Sequence, residues 1–418
     1  MSEVQLQCRL ARSYTMAEGA PNAAMYLLVK AVPDKTAGIG RLPLNIALVL
    51  DVSGSMSGEK LACAKEAASL VVQSLTKDDW LSLIVFNGRA KAIVPRRRVD
   101  DKNVFFSQIR AMDASDGTRM DTGMSTALTE LGMVSPATVN RILLFTDGET
   151  DEEERCLDCA REAAQKRVVT STFGIGDDYN EELLVEISRA TLGGAYAIRN
   201  PSEIKESFLK EVQDAATIGI ANASLTLNLA KGVSLEQMHR VVPNIAGLDP
   251  RVADSRMYVM DVGGIDATQF TAFFATLLLP QRPAGQVRVA QLSLKYDIPS
   301  LQIKDKTEKS DVVVEYTTDR DLLGKVDREV MGYFDQIEAQ RLIAEAAKAA
   351  QAGNAPAATQ KLTEAKLLTQ RIGNVAMTQH LAQAIDELEK QGAVSPGAQK
   401  TIRLGSSHTV RLEPPGQS

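Results

Sequence analysis

Histidine is down to three residues and cysteine to four in a chain of 418, which leaves little material for zinc sites, Ser-His catalysis or a disulfide framework. Cys8, Cys63, Cys156 and Cys159 lack the pattern of a stapled secreted domain and agree with a reducing compartment. Cys156 and Cys159 make a C-x-x-C, but no second ligand pair is suitably spaced, so they read as two cysteines on a helix face. No run approaches the roughly 18 apolar residues of a membrane span, and the opening MSEVQLQCRLARSY has no apolar signal core. The expected location is therefore the cytoplasm. A basic excess is also missing: 47 Lys and Arg against 53 Asp and Glu give a formal charge of −6, which argues against general nucleic-acid binding.

What the chain does have is 44% hydrophobic residues, ample for sizeable cores, and a length suited to two to four domains at about 100 to 200 residues each. Its organising stretch is Leu44 to Gly58, LNIALVLDVSGSMSG. The apolar run Leu44 to Leu50 is too short for a helix and reads as a strand of a parallel sheet, buried on both faces. Asp51, Ser53 and Ser55 then fall in the loop at the carboxyl end of that strand, where open α/β sheets place their ligands. Oxygen clusters of this kind suit a hard divalent cation such as Mg²⁺. Three other readings compete. A Ser can simply cap the helix that follows. A P-loop requires GxxxxGK[ST], and Gly54, Gly58 and Lys60 miss that spacing. A nucleophilic Ser requires a GxSxG elbow and a His base, and His239, His380 and His408 are all far downstream.

Two further loops join the first. In SDGTRMDTGMSTAL, Thr118 follows Asp116 and Gly117 in a turn that precedes a helix. In NRILLFTDGET the strand Ile142 to Phe145 runs into Thr146, Asp147 and Gly148. The ordered set DxSxS, Gly-Thr before a helix, and TDG after a strand resembles the metal-ion-dependent adhesion site of von Willebrand factor type A domains, over about Asn45 to Val212. The resemblance implies that Ser53, Ser55 and Thr118 contact the metal directly, while Asp51 and Asp147 act mostly through bound water. Mg²⁺, or Mn²⁺ or Ca²⁺, left under-compensated by neutral hydroxyls, would then accept an Asp or Glu carboxylate from a protein partner. No nucleophile or general base accompanies these residues, so the site binds and does no chemistry. Five side chains pointing apart, or a lysine of this chain filling the pocket, would overturn that assignment. The alternative function is a subunit presenting substrates to an AAA⁺ ATPase or chelatase-type machine. Asp116, Asp121, Glu149, Asp151 and Asp177 read as rim charges, and Arg96 to Arg98 as a solvated loop.

In order, Val4 to Ala11 and Ala24 to Val32 read as strands outside the α/β pattern, and Pro33 to Pro43 as a connection. From Leu44 strands and helices alternate, predicting a doubly wound, mostly parallel sheet. Gly174 and Gly176 form a tight turn at a strand end, since the third glycine of a dinucleotide fingerprint is missing. Beyond Asp214 only strands follow: Ala221 to Leu229, Arg256 to Val262, Thr268 to Leu279, Gly285 to Tyr296 and Val312 to Thr317, predicting a β-sandwich. The layout, with the α/β module inserted in a discontinuous sandwich, resembles bacterial relatives of inter-alpha-trypsin inhibitor heavy chains and chloride-channel-accessory-like proteins. The expected divisions are 1–40 (first sandwich strands), 41–214 (α/β domain with the metal site), 215–318 (remaining sandwich), 319–395 (helices) and 396–418 (a disordered tail). Gly353, Gly373 and Gly392 divide the helical part into three. In the tail, Thr401-Ile-Arg-Leu404 and Thr409-Val-Arg-Leu412 repeat, and a Thr with Leu three residues on resembles the phosphothreonine peptides read by forkhead-associated domains. Coincidence or a final β-hairpin is the simpler reading.

Overall fold

The computed structural model describes residues 3–18, 22–132, 137–148, 150, 152–176, 178–198 and 201–412, the backbone alone for 201–206. The chain forms two compact units, one of Arg41–Ile218 with Ser395–Gly405 and one of Met1–Gly40, Gly219–Val394 and Ser406–Ser418. It opens in the second of these with β1 (Val4–Leu10), β2 (Tyr14–Met16) and β3 (Ala23–Pro33). β1 pairs antiparallel with β3, from Val4 opposite Pro33 to Leu10 opposite Leu27.

The α/β unit follows with β4 (Leu44–Asp51), α1 (Glu59–Ser74), β5 (Trp80–Phe86), β6 (Ala90–Arg98), α2 (Lys102–Arg110) and α3 (Met120–Leu131). It continues with β7 (Val139–Thr146), α4 (Glu153–Gln165), β8 (Val169–Ile175), α5 (Glu181–Ala190), β9 (Ala195–Ile198) and α6 (Pro201–Ala216). The strand order is β6-β5-β4-β7-β8-β9, parallel except for β6. Every residue of β4 is buried, as the unbroken apolar run requires of a central strand with both faces covered. β4 has β5 on one side and β7 on the other, so the sheet reverses its winding there and opens a crevice at the strands' carboxyl ends. One face packs Val49 and Phe86 under α3, close enough that a Cβ at Gly123 would lie 2.9 Å from the Phe86 ring. On the other, Phe208 of α6 stacks on Phe145 and lies tilted against Phe173, at 4.4 and 4.2 Å between ring centres.

Arg96 to Arg98, expected in a solvated loop, instead end the edge strand β6. The Arg96 guanidinium stacks 4.3 Å from the Trp80 ring centre and donates to Asn45 at 2.9 Å, so the ring and a buried amide hold what charge alone would leave in water. Pro95 and the arginines suit an edge position, where the register against β5 shifts.

The other unit resumes with β10 (Ile218–Leu229), β11 (Ser234–Val242), β12 (Ala246–Gly247), β13 (Arg251–Asp254), β14 (Met257–Asp266), β15 (Thr271–Leu279), β16 (Gly285–Ile298) and β17 (Ile303–Thr317). These and the first three strands make two sheets, ordered β1-β3-β15-β11-β12 and β13-β14-β10-β16-β17-β2. Alternate residues Ala223, Leu225, Leu227 and Leu229 of β10 and Ala290, Leu292, Leu294 and Tyr296 of β16 are buried, the half-buried pattern of a sandwich strand. Then come α7 (Arg328–Gln351), α8 (Ala355–Arg371) and α9 (Val375–Gln391). They end near Gly353, Gly373 and Gly392, each at φ +73°, a conformation glycine adopts without penalty. Val330 and Tyr333 of α7 pack with Leu28, Val241, Ala272 and Phe274 of the five-stranded sheet, which explains why β15 is buried on both faces.

The stretch from residue 396, expected to be disordered, is instead ordered as far as Leu412. Pro396–Gly405 forms α10, which belongs to the α/β unit, with Ala398, Ile402 and Leu404 buried. After it, Ile245 N donates to Ser407 O at 2.9 Å, and Gln336 both accepts from Val410 N at 2.9 Å and donates to Val410 O at 2.8 Å. Short apolar repeats look like coil in isolation; here each finds a partner already built by the rest of the chain. Residues 413–418 lie outside the described residues.

Candidate metal centre

β4 and β7 run in parallel with Leu50 opposite Phe145, so Asp51 emerges beside Thr146 and, one residue on, Asp147. Asp51 and Asp147 are fully buried. Asp51 Oδ1 accepts from Ser53 N at 2.8 Å and Oδ2 from the Thr146 hydroxyl at 2.7 Å. Burial pushes the Asp51 carboxyl above its ordinary value, with the hydrogen bonds of Thr146 and Ser53 working against it. Ser53 precedes the turn Gly54–Met56 without capping it through its side chain. Its hydroxyl instead lies 3.1 Å from that of Ser55, and Ser55 in turn donates to Asp147 Oδ1 at 2.8 Å.

The third loop is drawn in by its backbone. Ser115 N donates to Val52 O at 2.8 Å and Arg119 N to Asn87 O at 2.6 Å, which carries Thr118 toward the crevice. The Thr118 carbonyl accepts from Thr150 at 3.2 Å, while its hydroxyl forms no hydrogen bond among the described residues. Four of the five sequence-predicted ligands are thus linked by direct or shared contacts, and the fifth stands on the adjoining loop. Of the rim acids, Asp121 is held by Arg119 at 2.9 and 2.8 Å, and Asp116 Oδ1 would lie 3.2 Å from a Cβ at Gly54. Glu149, Asp151 and Asp177 lie outside the described residues.

Two members of this neighbourhood were given no role by the sequence reasoning. Thr146 bridges from β7 to Asp51, and Lys60, from the first turn of α1, donates to Asp147 Oδ2 at 2.6 Å with Asp178 at 3.5 Å. Burial pulls the Lys60 ammonium down, but the hydrogen bond and charge of Asp147, aided by Asp178, hold it above the ordinary lysine value. Its position in the first turn of the helix that follows DxSxS is the only sequence signal it carried. Among the described residues Lys60 forms no hydrogen bond to Asp51, Ser53 or Ser55, so it takes Oδ2 of Asp147 and bonds to neither serine hydroxyl.

This donor set fits a small, hard divalent cation. Neighbouring oxygens about 2.1 Å from an octahedral Mg²⁺ stand about 3 Å apart, the spacing of the two serine hydroxyls. Ser55 donates its hydroxyl hydrogen bond to Asp147, which leaves its oxygen lone pairs facing away from the carboxylate to accept from Ser53 and to meet an ion. Asp51, a buried carboxylate with no ion pair among the described residues, is a charge in want of a cation.

The other sequence candidates lie elsewhere. Thr401 is inside α10 and donates to Gly397 O at 3.0 Å, and Thr409 donates to Val241 O at 2.6 Å. Cys156 and Cys159 both lie on α4 as expected, and burial pushes their thiols up to about 12 and about 11.

A mostly parallel sheet with hydroxyls and carboxylates gathered from three loops at its carboxyl end defines a class, the von Willebrand factor type A domain proteins, and the chain belongs to that family. The model of the von Willebrand factor type A domain matches residues 45–215, and that of the Sll0103-like C-terminal alpha-helical domain matches residues 328–412. More particularly, the uncharacterized protein sll0103 of Synechocystis sp. is 31% identical over 292 residues, 68% of either chain. Inter-alpha-trypsin inhibitor heavy chain H3 of Pongo abelii is 23% identical over 199 residues, 44% of this chain and 23% of that one. The structure of von Willebrand factor type A from Catenulispora acidiphila shares the fold across 98% of both chains, with a TM-score of 0.83 at 20% identity. The ArnB paralog VWA2 from Sulfolobus acidocaldarius does so over 97% of this chain and 98% of its own, with a TM-score of 0.62 at 16% identity. Type A domain proteins typically mediate protein interactions. Among the described residues no helix is long and apolar enough to cross a membrane.

Proposed function

We propose that this chain is a non-enzymatic binding protein that captures an acidic side chain of a protein partner through a divalent cation held by Asp51, Ser53, Ser55, Thr118 and Asp147. The observation that carries the reading is the 3.1 Å pairing of the Ser53 and Ser55 hydroxyls beside a buried Asp51. When bound, the ion supplies a Lewis-acidic position that prefers a hard anionic oxygen. The chain's own residues set the rest. Ser55 is oriented by its hydrogen bond to Asp147, Asp51 is steadied by Thr146, and the two carboxylates are kept from water by burial.

Affinity capture with the full chain, run once with Mg²⁺ and once with EDTA, tests this. A partner retained only with Mg²⁺, and lost on Asp147→Ala with an unchanged circular dichroism spectrum, supports the reading. A partner retained under both treatments overturns it.

A further inference from the structure

Resting on that reading, we propose that Lys60 tunes the metal centre. Its ammonium cancels the charge of Asp147, so the protein alone holds a divalent ion loosely and holds it firmly once an acidic ligand joins.

The two carboxylates of the centre are treated differently. Asp51 has only neutral partners, a hydroxyl and a backbone N–H. Asp147 has its Oδ1 on the Ser55 hydroxyl and its Oδ2 on Lys60 at 2.6 Å. Because the Asp147 side chain is fully buried, water screens this ion pair poorly, and the lysine offsets much of the carboxylate's field.

The lysine is also held in place. It leaves the first turn of α1 just after Gly58, and its stem crosses Gly176, where an added Cβ would lie 3.2 Å from Lys60 Cε. Gly176 sits at φ +78°, so it serves both the strand-end turn and the lysine's path. Asp178 at 3.5 Å secures the outer side of the ammonium.

Among the buried groups of the centre and the lysine that faces them, Asp51, Asp147 and Lys60 sum to −1, and a divalent ion leaves these groups at +1, whereas without Lys60 they would be neutral; Asp178, 3.5 Å from the ammonium on its outer side, is exposed and screened by water. The surplus positive charge weakens retention of the ion and strengthens attraction for an incoming carboxylate. Lys60 thereby links ion binding to ligand binding.

The test is Mn²⁺ titration of the full chain with no partner present, following free Mn²⁺ by electron paramagnetic resonance, for wild type, Lys60→Gln and Lys60→Arg. Thermal melts establish that each is folded. Lys60→Gln should bind Mn²⁺ about tenfold more tightly, as removal of one nearby like charge implies, and Lys60→Arg should stay within about twofold of wild type. Acetate, as the carboxylate probe, should tighten Mn²⁺ binding more in wild type than in Lys60→Gln. Equal or weaker Mn²⁺ binding by Lys60→Gln, tightening by Lys60→Arg as well, or an undiminished acetate effect in Lys60→Gln overturns the role of Lys60 while leaving the metal centre standing. Failure of all three proteins to bind Mn²⁺ overturns the metal centre and this inference together.

Discussion

Lys400 places its ammonium 2.7 Å from the carbonyl oxygen of Tyr179 and 4.1 Å from the centre of the same residue's ring. The ring is buried against Gly174, where no side chain would fit, and the residue before it is Asp178, the outer partner of Lys60. A segment close to the end of the chain therefore fixes a loop at the edge of the metal centre. Lys400→Met should cost about 1–3 kcal/mol, the range for losing a charged hydrogen bond in a buried setting. Urea denaturation measures the loss, and faster amide exchange at Tyr179 and Asn180 would place it in the loop.

Asp51 gives the second prediction. Burial raises its carboxyl in the folded state, so ionised Asp51 lowers metal-free stability, and that deficit shrinks as pH falls through the raised folded value. Metal-free Asp51→Asn should be at least as stable as wild type at pH 7. Added Mg²⁺ at about 100 times its Kd should stabilise wild type by about 2.7 kcal/mol and leave Asp51→Asn unmoved. Differential scanning calorimetry with and without EDTA reads both.

Asp79 behaves in the opposite sense. Burial would raise its carboxyl, but hydrogen bonds from Leu44 N, Thr76 N, Arg41 and the Thr76 hydroxyl outweigh it and hold it below the ordinary value of 3.8. A depressed folded value means stability that is present above 3.8 and lost as pH falls through the folded value. Asp79→Asn should cost about 1–3 kcal/mol at pH 7, the scale for leaving the partners of a buried carboxylate poorly satisfied, and should flatten the acid limb of the stability curve. Denaturation midpoints from pH 7 down to pH 2.5 provide the check.

Thr409 is tied to the Val241 carbonyl at 2.6 Å, so a negative charge there must sever that bond and repel an acceptor. Thr409→Glu should cost about 1–3 kcal/mol, whereas an unaffected melting temperature would mean that the tail leaves its seat readily. The same seat bears on the forkhead-associated reading, since Thr401 and Thr409 both spend their hydroxyls on backbone carbonyls.

The legible parts of this molecule are those whose pattern carries its own reason. β4 shows as an apolar run because both its faces are buried, and Ser53, Ser55 and Asp147 show because polar residues at the end of such a run have few other uses. Elements whose stability comes from a distant partner left no trace. β11 carries Glu236, Gln237, His239 and Arg240 and pairs with β15 through two register shifts, which erases the alternation that marks a strand. β6 needed Trp80 beneath its arginines, and α10 needed the apolar ground around Tyr179 and Leu184 to receive Leu404. Lys60 was hidden likewise, since only the fold aims it at Asp147.

Leu42 N donates to Ile218 O at 3.0 Å, so the chain enters and leaves the α/β unit at neighbouring points. Those neighbouring points invite an engineer to excise 41–218 and express it by itself. Such a fragment would lack the plug that Ile402 and Leu404 provide, and its bared greasy socket would drive self-association; splicing 395–405 back onto its end is the remedy.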